Sequence, residues 1–274
     1  MKTIIVPTDF SPAAVNAVNY AADMALQLKA DLLLFHVYQL PLAITDTPII
    51  LMSVDELREG AESKLATLKS SVLHITSDKL NIKTEARMGI MTDELEDLCQ
   101  TVQPFAVVMG TTGHSMVERT IFGSNTLTVI KHISWPIICV PKGKEYGGGI
   151  RKIGLACDLR QILETTPIPV IRHFVQEFKG ELHVLNVSTE RKEDVATSKE
   201  LRFLQTALDS LNPTYHFIEE RNLEEGVNNF AETNNLDLII TIPKKHTLLD
   251  GLFKRSSTTQ IVFGAHLPVM CIHE

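Results

Sequence analysis

The chain is poor in the residues that would commit it to disulfides, zinc, nucleic acid or a bilayer. It has four cysteines, Cys99, Cys139, Cys157 and Cys271, with no C-x-x-C pair and no zinc spacing. Three of them sit inside apolar runs, where a free thiol behaves as a small hydrophobe. That usage suits a reducing compartment. Basic charge is scarce: 26 Lys and Arg against 33 Asp and Glu leave a formal net charge of -7. Such a balance argues against nucleic acid, whose phosphates need a basic footprint, but not against a small anion held by backbone amides. No stretch approaches the length of a membrane span, and the opening M-K-T-I-I-V-P is too short in apolar residues for a signal peptide. A soluble, cytoplasmic protein with no membrane partner is the expectation. There is also no G-x-x-x-x-G-K-[ST] phosphate loop. What is present, 44% hydrophobic and 22% charged residues over 274 positions, describes a globular chain with core enough for one large domain or two ordinary ones.

The first half alternates short apolar runs with helical stripes. Residues 3–6 form a β-branched run, Pro7-Thr8-Asp9 turns out of it, and Ser11-Pro12 is a helix start, an N-cap followed by proline. The run 32–37 is continuously apolar, as suits a strand covered on both faces. The stretch 38–52 is long and apolar for a loop, either packed on the core or serving as a flap or partner patch. Ser53 with Glu56 forms a capping box ahead of a long amphipathic helix. A strand over 82–87, a helix opening at Thr92, a strand over 105–109, a helix from Ser124 and a strand over 137–140 complete the series. Strands alternating with helices imply a parallel sheet whose ligands sit at the carboxyl ends of the strands.

One segment at such an end stands out. Residues 109–126 read M-G-T-T-G-H-S-M-V-E-R-T-I-F-G-S-N-T, with Gly110, Gly113 after two residues and Gly123 after nine more. Glycines at these points let backbone amides close on a phosphate chain, and a helix N-terminus behind them favours negative charge. Asp9 and Val37 end the first two strands on the same side of the sheet, so three separate segments converge on one crevice.

The pattern then restarts. A glycine-rich, charged linker over 143–150 separates residues 1–142 from 151–274. Asp158 repeats Asp9, the run 182–187 answers 32–37, Thr197 with Glu200 repeats the capping box, Asn222 with Glu225 opens the third helix, and P-V-M-C-I at 268–272 matches P-I-I-C-V at 136–140. The expected fold is α/β: two tandem, open, parallel five-stranded sheets with helices on both faces, Rossmann-like. Laying Leu238 on Val107 places Thr241, Lys244 and Lys254 on the three glycines and Arg255 on Ser124. No glycine survives, and Leu159, Ile162 and Leu163 are available to fill a vacated pocket. Nucleotide binding in the manner of the first half is not expected there, although Lys244, Lys245, Lys254 and Arg255 could hold another anion.

The Pro7-Thr8-Asp9 opening, the five-strand order and Gly110-x2-Gly113-x9-Gly123-Ser124 together resemble the ATP-binding branch of the universal stress protein family, in a tandem, two-domain form. The resemblance covers both halves. It implies an adenine nucleotide alpha hydrolase-like fold and an ATP cofactor, with or without Mg²⁺. On that resemblance Asp9 contacts the nucleoside, Val37 holds adenine through its backbone and Gly110 lies against the ribose. Gly113, His114, Gly123, Ser124 and Asn125 line the phosphates, and Pro7, Thr8, Met109 and Thr126 complete the set. On that resemblance Asn125 departs from the small apolar or β-branched residue usual in the family, while keeping the backbone N–H. In the family the fifth strand is a sheet edge that pairs antiparallel between subunits, so the two halves are expected to pair with each other as an internal pseudo-dimer. Further homodimerisation stays open. No catalytic residue and no metal ligand is assigned: His114 is read as a hydrogen-bond donor, and Glu118 and Arg119 as a polar turn or a reach toward phosphate. Three functions remain in play: a regulatory ATP-binding protein with slow hydrolysis at most, an adenine-nucleotide hydrolase or phosphotransferase, and a ligand-free interaction scaffold.

Overall fold

In the computed structural model, residues 2–40, 53–111, 123–159, 162–188, 199–243, 261–262 and 264–273 are described. The stretch 41–52, His114, Glu118, Arg119, Thr197 and the basic group Lys244, Lys245, Lys254 and Arg255 lie outside them. In the first half the strands are β1 Thr3–Pro7, β2 Asp31–Tyr38, β3 Ile82–Met88, β4 Ala106–Thr111 and β5 Ile137–Pro141. In the second they are β6 Lys152–Ala156, β7 Glu181–Ser188, β8 Thr214–Glu219, β9 Leu238–Thr241 and β10 Val269–Cys271. The helices are α1 Pro12–Leu28, α2 Val54–Ile75, α3 Met91–Val102, α4 Gly123–His132, α5 Ile162–Thr165, α6 Ile168–Phe178, α7 Lys199–Leu208 and α8 Leu223–Asn234.

The two expected five-stranded sheets are two runs of one ten-stranded sheet, ordered β3-β2-β1-β4-β5-β10-β9-β6-β7-β8. Within each run neighbours are parallel, and the strand order of the second run repeats that of the first. The runs meet at β5 and β10, which pair antiparallel with Met270 opposite Ile138. Each thereby covers an edge that would otherwise expose unpaired N–H and C=O groups.

Helices cover both faces. Apolar side chains of α1, α2, α6 and α7 pack on one, those of α3, α4 and α8 on the other, and each layer runs through both halves. Local chemistry sets several helix starts. Ser11 Oγ accepts from Ala14 N at 3.3 Å, and Ser53 and Glu56 close the capping box of α2. One start differs from expectation: helix α3 begins at Met91 behind Ile90 rather than at Thr92. Helix α6 begins at Ile168 with Pro169 in its first turn. Glu200 Oε2 accepts from Ile162 N at 2.8 Å, so it supports the added one-turn helix α5. All four cysteines are free, three of them buried, and burial pushes the Cys99 thiol up to about 12, with Glu96 adding to the effect. Among the described residues no helix is long and apolar enough to cross a membrane.

The linker is packed down rather than loose. Asn16 donates to the Pro141 and Lys144 carbonyls at 3.3 and 3.2 Å. Tyr146 is buried edge-on against Tyr20 at 5.0 Å, and its hydroxyl donates to Gln27. Across the halves, Phe105 meets Phe174 and Phe178 with centroids 4.5 and 6.1 Å apart, and Lys2 pairs with Glu177. Phe105→Ala is expected to lower the unfolding free energy by about 3 kcal/mol, the usual result of emptying an aromatic site. Urea denaturation would show it, and an unchanged midpoint would mean that this cluster does not join the halves.

Candidate functional site

Where β1, β2, β3 and β4 end, a cavity of about 590 Å³ opens. Pro7, Thr8, Asp9, Val37, Met109, Gly110 and Thr126 all line it. Gly123, Ser124 and Asn125 form the first residues of α4, and Gly113 and His114 lie outside the described residues. The sequence reading missed Ser11, Ala13, Ala14, His36, Gln39, Ile90, Met91, Thr92 and Thr128, which share the lining. A signal existed for three of them. Ile90, Met91 and Thr92 follow β3, and the rule that ligands gather at strand carboxyl ends applies to that strand as much as to its neighbours.

The β1 end is built by local hydrogen bonds. Thr8 N donates to Phe35 O at 2.8 Å, extending the ladder. Phe10 then adopts the left-handed conformation at φ 65° and donates to Thr8 Oγ1 at 3.0 Å. Asp9 Oδ1 accepts from Ser11 N at 2.9 Å, an Asx turn that aims the chain into α1. Asp9 is therefore both a turn residue and an exposed carboxylate at the cavity. His36 Nδ1 lies 2.7 Å from Thr8 O. A carbonyl only accepts, so Nδ1 carries the proton and Nε2 is left as an acceptor in the neutral ring. The His36 ring also packs on Phe10, centroids 4.6 Å apart.

At β4 the structure supplies a reason for Gly110 beyond ligand approach. A Cβ there would stand 2.3 Å from the Ala13 carbonyl oxygen and 2.7 Å from its carbon. Those are backbone atoms of the first turn of α1, so any side chain would push the helix off the sheet. Thr126 Oγ1 donates to Gly110 O at 3.4 Å, tying the start of α4 to the same point.

The second half rebuilds the turn and alters the surroundings. Cys157 N donates to Leu185 O at 2.9 Å, Leu159 takes φ 53°, and Asn186 Nδ2 donates to Cys157 O at 3.0 Å. Asn186 thus stands for His36. The expected alignment of the fourth strands is corrected by one residue. Ile4 pairs with Ala106 and Ile153 with Leu238, while Thr3 and Lys152 stand opposite Asp31 and Glu181 in their ladders. Leu238 therefore falls on Ala106, not Val107, and Ile242, not Thr241, stands for Gly110. Apolar runs look alike when shifted by one; the ladder hydrogen bonds do not. Ile242 packs against the core layer that includes Leu159 and Ile162, on the face where Gly110 meets α1.

A mostly parallel α/β sheet with a ligand-sized cavity at its strand ends defines an open, Rossmann-like fold class, and comparison supplies the family. The model of the Universal stress protein family matches residues 1–141, and the chain belongs to that family. A universal stress protein of Methanocaldococcus jannaschii is 28% identical over 152 residues, 53% of this chain and 84% of its own. Universal stress protein G of Escherichia coli O157:H7 is 33% identical over 86 residues, 31% of this chain and 58% of its own length. A universal stress protein from Archaeoglobus fulgidus, 16% identical, shares the fold with a TM-score of 0.71 over 99% of this chain and 96% of its own.

Three substitutions at two positions test the site's construction without ligand. Gly110→Ala is expected to destabilise the free protein by about 1–3 kcal/mol through overpacking against α1, seen as a fall in Tm; an unchanged Tm would show that α1 yields. His36→Asn should keep the stability of the parent, because Asn186 makes the same bond, whereas His36→Leu should lose about 1 kcal/mol. Equal stability of the two variants would count against a structural role for that hydrogen bond.

Proposed function

We infer that the cavity of the first half holds ATP and that the protein acts as a regulatory nucleotide-binding member of its family. The observation that carries this reading is the convergence in one cavity of the β1, β2 and β4 ends with their Asp9, Val37 and Gly110. Its volume falls within the range of about 300–1,000 Å³ typical of small-molecule sites. The sheet order supports an orientation for the ligand. The β4–α4 connection, with its glycines, would take the phosphates, and the β2 and β3 ends, walled by Val37, Ile90 and Met91, would take the nucleoside. Gly113 and the start of α4 would supply backbone amides to the phosphates, and Asp9, whose second oxygen the Asx turn does not use, would face the ribose.

Holding is favoured over turnover by the state of the lining. Among the described residues the titratable groups there are Asp9 and His36, and each is engaged with backbone. A catalytic base must lie within reach of the nucleophile, and in this orientation both groups would stand at the nucleoside end, away from the phosphates. Fast hydrolysis is not what this arrangement suggests.

The test is to titrate the purified protein with ATP and to follow the bound nucleotide over hours with Mg²⁺. Saturable binding with ATP largely intact is the expected result. Failure to bind would remove the nucleotide reading, and turnover near the enzymatic median of about 10 s⁻¹ would replace the regulatory role with an enzymatic one. Gly113→Val is expected to abolish ATP binding while leaving the fold intact, as circular dichroism would report; undiminished affinity would place the phosphates elsewhere.

A further inference from the structure

Arg87 lies on β3 beside the cavity without lining it. Its partner across the β2–β3 ladder is Val37, which does line it. The guanidinium stands 5.9 Å from the centre of the Phe35 ring and reaches three carboxylates. Nε donates to Glu85 Oε1 at 2.6 Å, and one Nη donates to Asp97 Oδ2 at 2.6 Å and stands 3.5 Å from Glu94 Oε2. Glu94 and Asp97 belong to the opening turns of α3, so a side chain of the sheet grips the helix near its start. Gly89 makes room for this grip: a Cβ there would stand 2.5 Å from Glu94 Oε1 and 2.8 Å from Glu94 Cγ. Isolated surface pairs contribute little. A planar fork shared among three carboxylates and leaning on an aromatic ring is a different case, because its geometry is fixed as well as its charge.

The helix so held has an unusual beginning. Its N-cap, Ile90, makes no side-chain capping bond, and Met91 and Thr92, its first residues, line the cavity. The corresponding helix of the second half is built otherwise. Asn222 Oδ1 caps α8 by accepting from Glu224 N and Glu225 N at 3.0 and 3.4 Å. Ile218 stands opposite Val187 where Arg87 stands opposite Val37, and His216 stands opposite Leu185 where Glu85 stands opposite Phe35. A self-capped helix needs no anchor at that strand. The half whose glycines are intact has the uncapped helix and the anchor together.

We propose that Arg87 is a positioning residue for the cavity: by holding Glu94 and Asp97 it sets α3 so that Ile90, Met91 and Thr92 form the wall against the nucleoside end of the ligand. The inference rests on the nucleotide reading above. The strand order separates that wall from the Gly110 end of β4, since β2 and β1 lie between β3 and β4. Loss of Arg87 therefore acts on the nucleoside and not on the phosphates.

The experiment compares the parent with Arg87→Ile, the residue of the second half, and with Arg87→Lys, using adenosine, AMP and ATP as ligands. Arg87→Ile is expected to weaken all three by the same factor, about tenfold, as fits loss of a multidentate guanidinium hold, and Arg87→Lys to recover part of it. Equal affinity of Arg87→Ile and parent would overturn the proposal, as would a loss confined to ATP. Should Arg87→Ile fold poorly, Asp97→Asn and Glu94→Gln carry the same expectation in milder form. Hydrogen exchange in the ligand-free protein gives a reading that does not depend on ATP. Arg87→Ile should speed exchange of the first hydrogen-bonded amides of α3, from Glu94 onward, beyond any change in the rest of the sheet, and unaltered or uniformly raised exchange would overturn the positioning role. A parent that ignores nucleotides while Arg87→Ile still loosens α3 would remove the ATP reading and the nucleoside wall, leaving only the anchoring of α3.

Discussion

Two parallel five-stranded runs, each ending in a strand with one unpaired side, share a core only where those sides meet. The antiparallel contact of β5 and β10 makes that junction with a short ladder. Because it makes one sheet of ten strands, the apolar layers above and below continue through both halves. Phe105 at the foot of β4 can then reach Phe174 and Phe178 on α6. The linker follows the same geometry. It has only to cross from the end of β5 to β6, and Asn16, Tyr20 and Gln27 of α1 hold it down on the way.

Within that shared frame the halves have kept the turn after the first strand and changed what surrounds it. Phe10 and Leu159 take the same left-handed conformation, and His36 and Asn186 brace corresponding carbonyls, those of Thr8 and Cys157. These parts therefore serve the fold in both halves, whatever ligand is bound. The differences lie where the cavity is. Gly110 lets α1 touch β4, whereas Ile242 fills the corresponding position with a branched side chain. Helix α3 starts uncapped beside Arg87, whereas α8 is capped by Asn222. A glycine motif alone does not separate ligand from packing: at Gly110 the backbone of α1 already forbids a side chain.

Most of the element order was legible in the sequence, because apolar runs, capping residues and prolines act over a few positions. The failures were also local in origin. Strand β8, with the sequence T-Y-H-F-I-E, gives little signal because it is an edge strand with half-buried residues and no sharp alternation. Helix α3 lacks a side-chain cap, so the sequence does not mark its first residue. Apolar character aligns the fourth strands only to within one residue, and the parallel ladders fix the register.

Sequence alone determined the α/β class and the convergence of Asp9, Val37 and the Gly110 end of β4 on one side of a sheet. Each of these follows from periodicity and from the rule that parallel strands share a direction. Only the tertiary structure decided that Ala13 is the neighbour of Gly110, that His36 braces Thr8, and that α3 forms a wall anchored by Arg87. Those contacts join positions brought together by strand order, helix packing and the rotation of a side chain across a ladder. No local pattern records them, because the residues involved have ordinary propensities for the elements they occupy.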